Sequence, residues 1–430
     1  MAVPPSRDPR YRGYPPAHQP ARTGQPIPGG QYPPAGQYPP GVQAPQTGAQ
    51  GTVAAAPGYP GGQALWTGEQ RSNNKLMFTV LMCVVGGVAL LVALGYIALA
   101  TGVSRTSVAF VLALVPLAIV LLGVRWLDRW EPEPRPILAV ALVWGAGVAV
   151  LSALIVNTTV QQWLLQRTQD PESTAATTAV FVAPVVEETV KGAGVVLLYI
   201  FRRQHMDGPV DGVVYAATVA AGFAFTENVL YFAQYTSGVG QVFLMRGVFS
   251  PFAHALFTSC IGIAVGLAAR SRSRGTLALT LPLGLVAAMV LHGLWNGSAV
   301  IGGDFVLTYI AIHVPLFACM VGLLIWLRRQ EAAVIRERLT EYSQAGWFAP
   351  HEVIMLASLR LRSQAKAWAV TYGEEARDAM RTFQYEATRL AFLRQRVYRR
   401  KTTDPARERA LLEAIGQQRA IFAHAMSRRY

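Results

Sequence analysis

The sequence predicts an all-α fold: a polytopic membrane bundle of about eight transmembrane helices, a disordered N-terminal tail and a helical C-terminal cytoplasmic module. Three observations predict it. Of the 430 residues, 52% are hydrophobic and only 14% charged, whereas soluble domains carry about a quarter charged residues. The apolar residues gather in runs of about 20, the length at which a helix crosses a bilayer. The loops between the runs alternate between basic and nearly charge-free.

The elements run in chain order. Residues 1–74 are rich in Pro, Gly, Gln and Tyr, with GQYPP at Gly30–Pro34 and again at Gly36–Pro40. Such a segment has too little apolar surface to offset the entropy of ordering, and it reads as a disordered cytoplasmic tail. No apolar run comes after its first basic residues, so it does not read as a signal peptide. The membrane core, residues 75–327, holds spans at about 76–100, 107–124, 137–156, 177–201, 211–233, 247–269, 276–296 and 305–327. Arg125, Arg129 and Arg135 follow the second span, Arg202 and Arg203 the fourth, Arg270, Arg272 and Arg274 the sixth, and Arg328 and Arg329 the eighth. The alternate loops hold only Arg105, Arg167 and Arg246. This asymmetry places both termini in the cytoplasm, as an even number of spans requires. High Ala, Val, Gly and Arg usage suits a bacterial plasma membrane.

Residues 328–430 form the third part. Their apolar residues recur at three and four in stretches such as AWAVTYGEEARDAMRTFQYEATRLAF, which predicts a basic helical module. About +9 of the formal net charge of +14 lies here. Beside a membrane, the anionic inner leaflet is the economical partner for that charge, and no nucleic-acid partner is expected. Cys83, Cys260 and Cys319 all fall in apolar segments and read as small buried hydrophobes rather than a disulfide framework or thiolate cluster.

Against this apolar background the polar residues stand out. Glu187, Glu188 and Lys191 lie in FVAPVVEETVKGAGVVLLY, Glu227 and Asn228 in AAGFAFTENVLYF, His254 in FSPFAHALFTSC, and His292 and Asn296 in LVAAMVLHGLWNG. An ionised side chain at the bilayer centre costs roughly 3 kcal/mol or more, so such residues mark function by default. Helical spacing puts Lys191 on the face of both Glu187 and Glu188, His254 on that of Thr258, and His292 on that of Asn296. Counted from the expected outer boundary, Glu187 lies roughly 10 residues deep, about 15 Å. Glu227, His254 and His292 lie at about 6, 7 and 4–5 residues on the same count. All four fall in the outer half of the bilayer, which predicts one shared site. His313 lacks a motif partner and reads as structural. Asp128, Glu131 and Glu133, in DRWEPEP, lie at the cytoplasmic end and are not expected to reach the site.

Glu, Glu, His and His without a nucleophilic Ser or Cys suit hydrolysis of an amide. A carboxylate can take the proton of a water while His or Asn stabilises the oxyanion. Alternatively, a divalent metal such as zinc activates the water, with Glu188, Glu227, His254 and His292 as candidate ligands. In the first chemistry Glu187 is the base, kept charged by Lys191; Glu188 and Glu227 position the base or water; and Asn228 and Asn296 donate hydrogen bonds. An HExxH zinc motif is absent from the sequence.

At these residues the chain resembles the PrsW family of intramembrane proteases and shares the logic of CAAX-type membrane endopeptidases. The matching pieces are Glu187-Glu188-x-x-Lys191, the stretch ending at Glu227-Asn228, His254 with Thr258, His292-x-x-Trp295-Asn296 and the loop Asp128–Pro134. The resemblance implies an intramembrane endopeptidase that cuts a membrane-protein substrate near the extracytoplasmic side. It also implies an anti-sigma-type regulator as the substrate of the family's type member. Two other readings use the same residues: a proton- or ion-coupled transporter, and a non-enzymatic scaffold built on the two tails. No convincing internal repeat of the kind carriers use is present.

Overall fold

The computed structural model describes residues 73–203, 206–235, 238–271, 273, 275–300, 305–400 and 404–428. The expected tail therefore lies almost wholly outside the described residues, all of whose regular structure is helical. Among the described residues, eight helices build the membrane core: α1 Asn73–Thr101, α2 Val103–Leu127, α3 Arg135–Thr168, α4 over residues 171–202, α5 Pro209–Gln234, α6 Val239–Arg270, α7 Gly275–Val300 and α8 Val306–Gln344.

All of these except α4 are long and apolar enough to cross a membrane. The exception has ample length, but Glu187, Glu188 and Lys191 lie in its middle. It corresponds to the fourth expected span. Two helices outrun their apolar stretches: α3 continues to Thr168 rather than stopping near 156, and α8 runs to Gln344 rather than 327. Hydropathy ends a span where polar residues begin, but Gln, Arg and Glu are good helix formers and the backbone carries on. The end of α3 comes at Gln169, whose left-handed φ of 54° breaks the helix. Asp170 then caps α4 by accepting from the amides of Glu172 and Ser173.

The central helix is α5, buried along nearly its whole length, with α2, α3 and α6 packed on it. Small residues permit this closeness, since without a hydrophobic force between helices in lipid, packing supplies the attraction. At Gly222 an added Cβ would lie 2.0 Å from the Leu142 carbonyl oxygen of α3. At Gly212 it would lie 2.0 Å from the Gly262 carbonyl oxygen of α6. In contrast, α1, α7 and α8 expose apolar side chains such as Leu91, Leu99, Leu283 and Trp326 around the outside. In water such a surface would drive aggregation; in lipid it is the solvent-facing surface. Arg328 stacks on Trp126 at one end of the bundle and Arg167 on Trp163 at the other, at 4.0 and 4.2 Å. Both pairings suit interfacial belts, where an aromatic ring and a long cationic chain share the headgroup layer.

Beyond Arg328, α8 leaves the apolar region and joins four further helices: α9 Pro350–Leu356, α10 Leu359–Val370, α11 Glu374–Arg400 and α12 Pro405–Ser427. They enclose a separate core of Ile335, Leu339, Leu356, Leu390 and Ile415. Trp130, from the loop after α2, packs into that core and carries the Arg362 guanidinium over its ring at 4.8 Å. Arg396 of α11 pairs with Asp207 at 3.1 Å, between α4 and α5. Among the described residues, α8, the Trp130 indole and the Arg396–Asp207 ion pair all fasten the module to the membrane core.

Gly222→Ala is expected to destabilise the protein by several kcal/mol, because its Cβ would meet backbone rather than a mobile side chain. Gly87→Ala, where nothing lies within 4 Å of the added atom, should be neutral or slightly stabilising. Thermal unfolding in detergent compares them; equal Tm values would show that the α3–α5 contact does not set the packing.

Candidate active site

The site begins with an irregularity in α4. Residues Thr178–Val182 form a wide π turn, and Pro184 comes next but one, lacking the amide that would bond Val180. Buried backbone groups must find partners, and α7 supplies one. Asn296 Nδ2 donates to the Ala179 carbonyl oxygen at 2.8 Å. One turn earlier, Gly293 leaves room for the Val180 carbonyl, which an added Cβ would approach to 3.0 Å. This contact docks α7 on α4 and sets His292 opposite Glu188.

Glu188 is fully buried and is held by three helices at once. Its Oε1 accepts from Lys191 Nζ at 2.7 Å and from His292 Nδ1 at 3.0 Å; its Oε2 accepts from Thr258 Oγ1 at 2.8 Å. The Phe257 ring stacks on His292 with centroids 5.1 Å apart, fixing the imidazole plane. Lys191 is also fully buried. Its ammonium lies 3.2 Å from His254 Nδ1, 3.5 Å from Glu187 Oε2 and 4.0 Å from the centre of the Phe223 ring.

Glu227 forms a second centre. Its Oε2 accepts from Arg246 Nη2 at 2.5 Å and pairs with His254 Nε2 at 2.8 Å. Arg246 Nε donates to Asn228 Oδ1 at 2.8 Å, and its guanidinium lies over Tyr231 at 4.1 Å. Arg246 reaches this position from another π turn, Leu244–Phe249, just before α6 breaks at Ser250–Phe252.

The tautomers are set by the partners, because a carboxylate can only accept. His292 donates Nδ1–H to Glu188 and keeps a lone pair on Nε2. His254 donates Nε2–H to Glu227, and its Nδ1 lone pair accepts from Lys191 Nζ at 3.2 Å. Each imidazole is therefore backed by a carboxylate. Glu187 is the least satisfied member: Asn157 of α3 donates to its Oε1 at 3.4 Å, while buried Oε2 has no hydrogen-bond partner. That orphaned oxygen faces His292 Nε2 at 3.8 Å.

Ligand atoms of Glu187, His254 and His292 lie within 4.8 Å of one another. One carboxylate with two imidazoles is the donor set of hydrolytic zinc sites. Carboxylates behind ligating histidines orient the rings and raise their basicity. The donor set fits a divalent ion, which would take the place the Lys191 ammonium holds against His254 Nδ1 and Glu187 Oε2.

All eight expected residues lie along α4, α5, α6 and α7, with differences in detail. The expected ligand set included Glu188 and Glu227, but these engage the far nitrogens of the two imidazoles, and Glu187 takes their place among the ligand-capable groups. Lys191 lies closer to Glu188 than to Glu187. Asn228 accepts from Arg246, and Asn296 serves the backbone of α4; neither meets Glu187. His313 pairs with Ser298 Oγ at 2.9 Å, away from the cluster. The Asp128–Pro134 loop belongs to the opposite end, where Glu133 accepts from Tyr215. Two residues of the site escape a reading by sequence. Arg246 counts there only as a loop cation, although it stands alone among apolar neighbours, and Asn157 falls just past the expected end of the third span, beside Thr158 and Thr159.

A family model described as PrsW family intramembrane metalloprotease matches residues 133–323. Among curated relatives, Protease PrsW of Oceanobacillus iheyensis is 35% identical over 122 residues, 27% of this chain and 52% of that protein. Protease PrsW of Clostridioides difficile is 28% identical over 190 residues, 44% of this chain and 77% of that protein. The Bacillus subtilis protein of the same name is 32% identical over 123 residues, 29% and 50% of the two chains. The chain spans about half the length of the first and third of these relatives. No solved structure matches it.

Arg246→Met would leave the half-buried Glu227 without its guanidinium, a loss of about 2 kcal/mol. Adding Glu227→Gln should restore part of that stability. If the double variant melts no higher than Arg246→Met alone, the two side chains are not coupled.

Proposed function

We infer, from the match of residues 133–323 to the PrsW family, that this protein is an intramembrane endopeptidase whose catalytic centre is Glu187 with His254 and His292. One observation carries the reading furthest. A buried carboxylate oxygen with no hydrogen-bond partner, 3.5 Å from the Lys191 ammonium, faces an imidazole nitrogen that keeps its lone pair, inside a bundle with a lipid-facing exterior. A catalytic group needs unused hydrogen-bonding capacity, and a structural ion pair does not.

The residues take distinct roles. Glu187, His254 and His292 would hold a divalent ion, zinc by donor set, and such an ion lowers the pKa of a bound water and polarises a peptide carbonyl. Glu188 fixes the His292 tautomer and Glu227 that of His254. Lys191 neutralises Glu188 and limits the charge repulsion between the neighbouring glutamates. Arg246 balances the charge of Glu227, and Asn157 fixes the second oxygen of Glu187. Thr258, which also holds Glu188, ties this network to α6.

The substrate on this reading is a membrane protein, cut near the extracytoplasmic side. The basic loops support an orientation with both termini in the cytoplasm of a bacterial plasma membrane, and the Glu227 end of α5 then faces outward. An anti-sigma-type regulator suits a first cut at that depth. The combination of buried ionisable side chains and two carboxylate-backed histidines supports hydrolysis over carriage of an ion.

Membranes expressing wild type or Glu187→Gln at matched levels provide the test. New protein N-termini within or just outside the outer half of a substrate span should emerge only with wild type. Glu187→Gln should lower turnover at least about a thousandfold, and treatment of wild type with a strong chelator should do the same, with recovery on adding zinc. Identical termini from two folded proteins would refute the peptidase reading. Full activity after chelation would leave Glu187 as a metal-free general base.

A further inference from the structure

The molecule has a second polar centre, at the other end of the bundle. A cavity of about 140 Å³ lies where the module meets the membrane core, enough volume for about four or five liquid waters or one long side chain. Five carboxylates line it, those of Asp128, Glu131, Asp207, Asp211 and Glu331. Three guanidiniums, of Arg270, Arg396 and Arg399, face them, leaving an excess of two acids. Trp130 and Trp326 add aromatic surface, and Trp326 and Gln330 lie exposed at its edge.

Not all of this charge is consumed within the protein. Asp207 pairs with Arg396, and Asp211 caps α5 by accepting from the amides of Asp207 and Gly208. Glu331 is 7% exposed and makes no hydrogen bond or ion pair with any described residue. Burial, with the like charge of Asp207, pushes the Glu131 carboxyl up to about 7, and burial pushes Asp128 up to the same value although it accepts from the Glu133 amide at 3.0 Å. The guanidiniums present therefore leave these acids undercompensated. A tight cluster of metal-ligand atoms is found among the described residues only at Glu187, so the cavity is not a preformed metal site. Its chemistry suits a longer cation, since carboxylates and indoles together bind ammonium and guanidinium groups. The chain's own Arg396 already enters this wall in that manner.

Position names the source of the cation. From Asp211 to Glu227 is 16 residues along α5, about 24 Å at 1.5 Å per residue. From Arg270 to His254 is the same distance along α6. A peptide that crosses the bilayer needs about 20 residues and carries Lys or Arg at its cytoplasmic flank. With its scissile bond at Glu187, that flank arrives at the level of the cavity. We propose that the cavity lined by Glu331, Glu131 and Asp128 binds a lysine or arginine from the cytoplasmic flank of a substrate span, and so measures the substrate from its basic end. This rests on the peptidase reading for its meaning but not for its test.

The test is binding, read without cleavage. The full chain is placed in nanodiscs of neutral phosphatidylcholine. Labelled spans of about 20 Leu and Ala residues carry either Lys-Lys or Gln-Gln at one flank. The Lys-Lys span should bind about tenfold more tightly, and the preference should shrink as salt is raised. Glu331→Gln and Glu131→Gln should each reduce it to less than about twofold; the second lies in a loop and guards against misfolding of the first. Equal affinities in wild type, or a full preference in both variants, would overturn the proposal. Saturable binding of free spermidine that Glu331→Gln abolishes, with no difference in affinity between the two spans, would assign the cavity to a soluble amine and also overturn it. A flank preference without any cleavage would count against the peptidase reading and leave the cavity assignment standing.

Discussion

The Glu188 carboxylate is the interaction on which the rest of the core depends. It is fully enclosed, and both of its oxygens are used by donors from three different helices. Taking a charge out of water costs several kcal/mol, and only close partners repay it. Lys191, His292 and Thr258 must therefore arrive together, which fixes α4, α6 and α7 relative to one another. The positions of Glu187 and His254 are set in turn: one is the neighbour of Glu188 in sequence, and the other meets Lys191.

Bringing these helices into register takes departures from regular geometry. π turns interrupt α3, α4, α6 and α8 at Trp144–Ala149, Thr178–Val182, Leu244–Phe249 and Tyr309–His313. Each widens a helix by one residue and re-aims the turns after it, a device common at functional sites. In lipid every freed carbonyl needs a protein partner. Thr226 Oγ1 serves the Ala146 carbonyl at 2.7 Å, and Asn296 serves that of Ala179. The polar side chains near the site therefore divide into those that face the chemistry and those that mend the backbone behind it.

That division explains which features are legible in the sequence. Ionisable residues in apolar runs can be read directly, because the bilayer makes them costly, and four separated segments point to one cluster. The helical faces are also readable: Thr258 lies one turn from His254 and meets Glu188. Which partner each group takes is not readable. Helical spacing allows Lys191 to reach Glu187 and Glu188 equally, and the choice is made by His254 and Phe223 from other helices. Asn296 has the spacing of an active-site residue, yet its amide is spent on a carbonyl freed by a π turn, which composition does not reveal. Arg246 falls in a loop by hydropathy, whereas the chain there is a helical turn folded back against Glu227.

The same logic governs the far end of the bundle, with the opposite outcome. At the Glu187 end nearly every charge is matched within the protein, and the one oxygen without a hydrogen bond among the described residues faces His292. Where α8 leaves the membrane, acids outnumber bases around a cavity, and Glu331 is left without a partner among the described residues. A buried acid in a structural role would be selected for pairing, since an unpaired one costs stability and gives nothing back. Both ends of α5 thus carry polar capacity that folding does not use: a carboxylate oxygen near Glu227 and a carboxylate cavity near Asp211. The helix between them is buried along nearly its whole length and close-packed through glycine and alanine. It holds the two unsatisfied centres at a fixed spacing close to the thickness of the bilayer core.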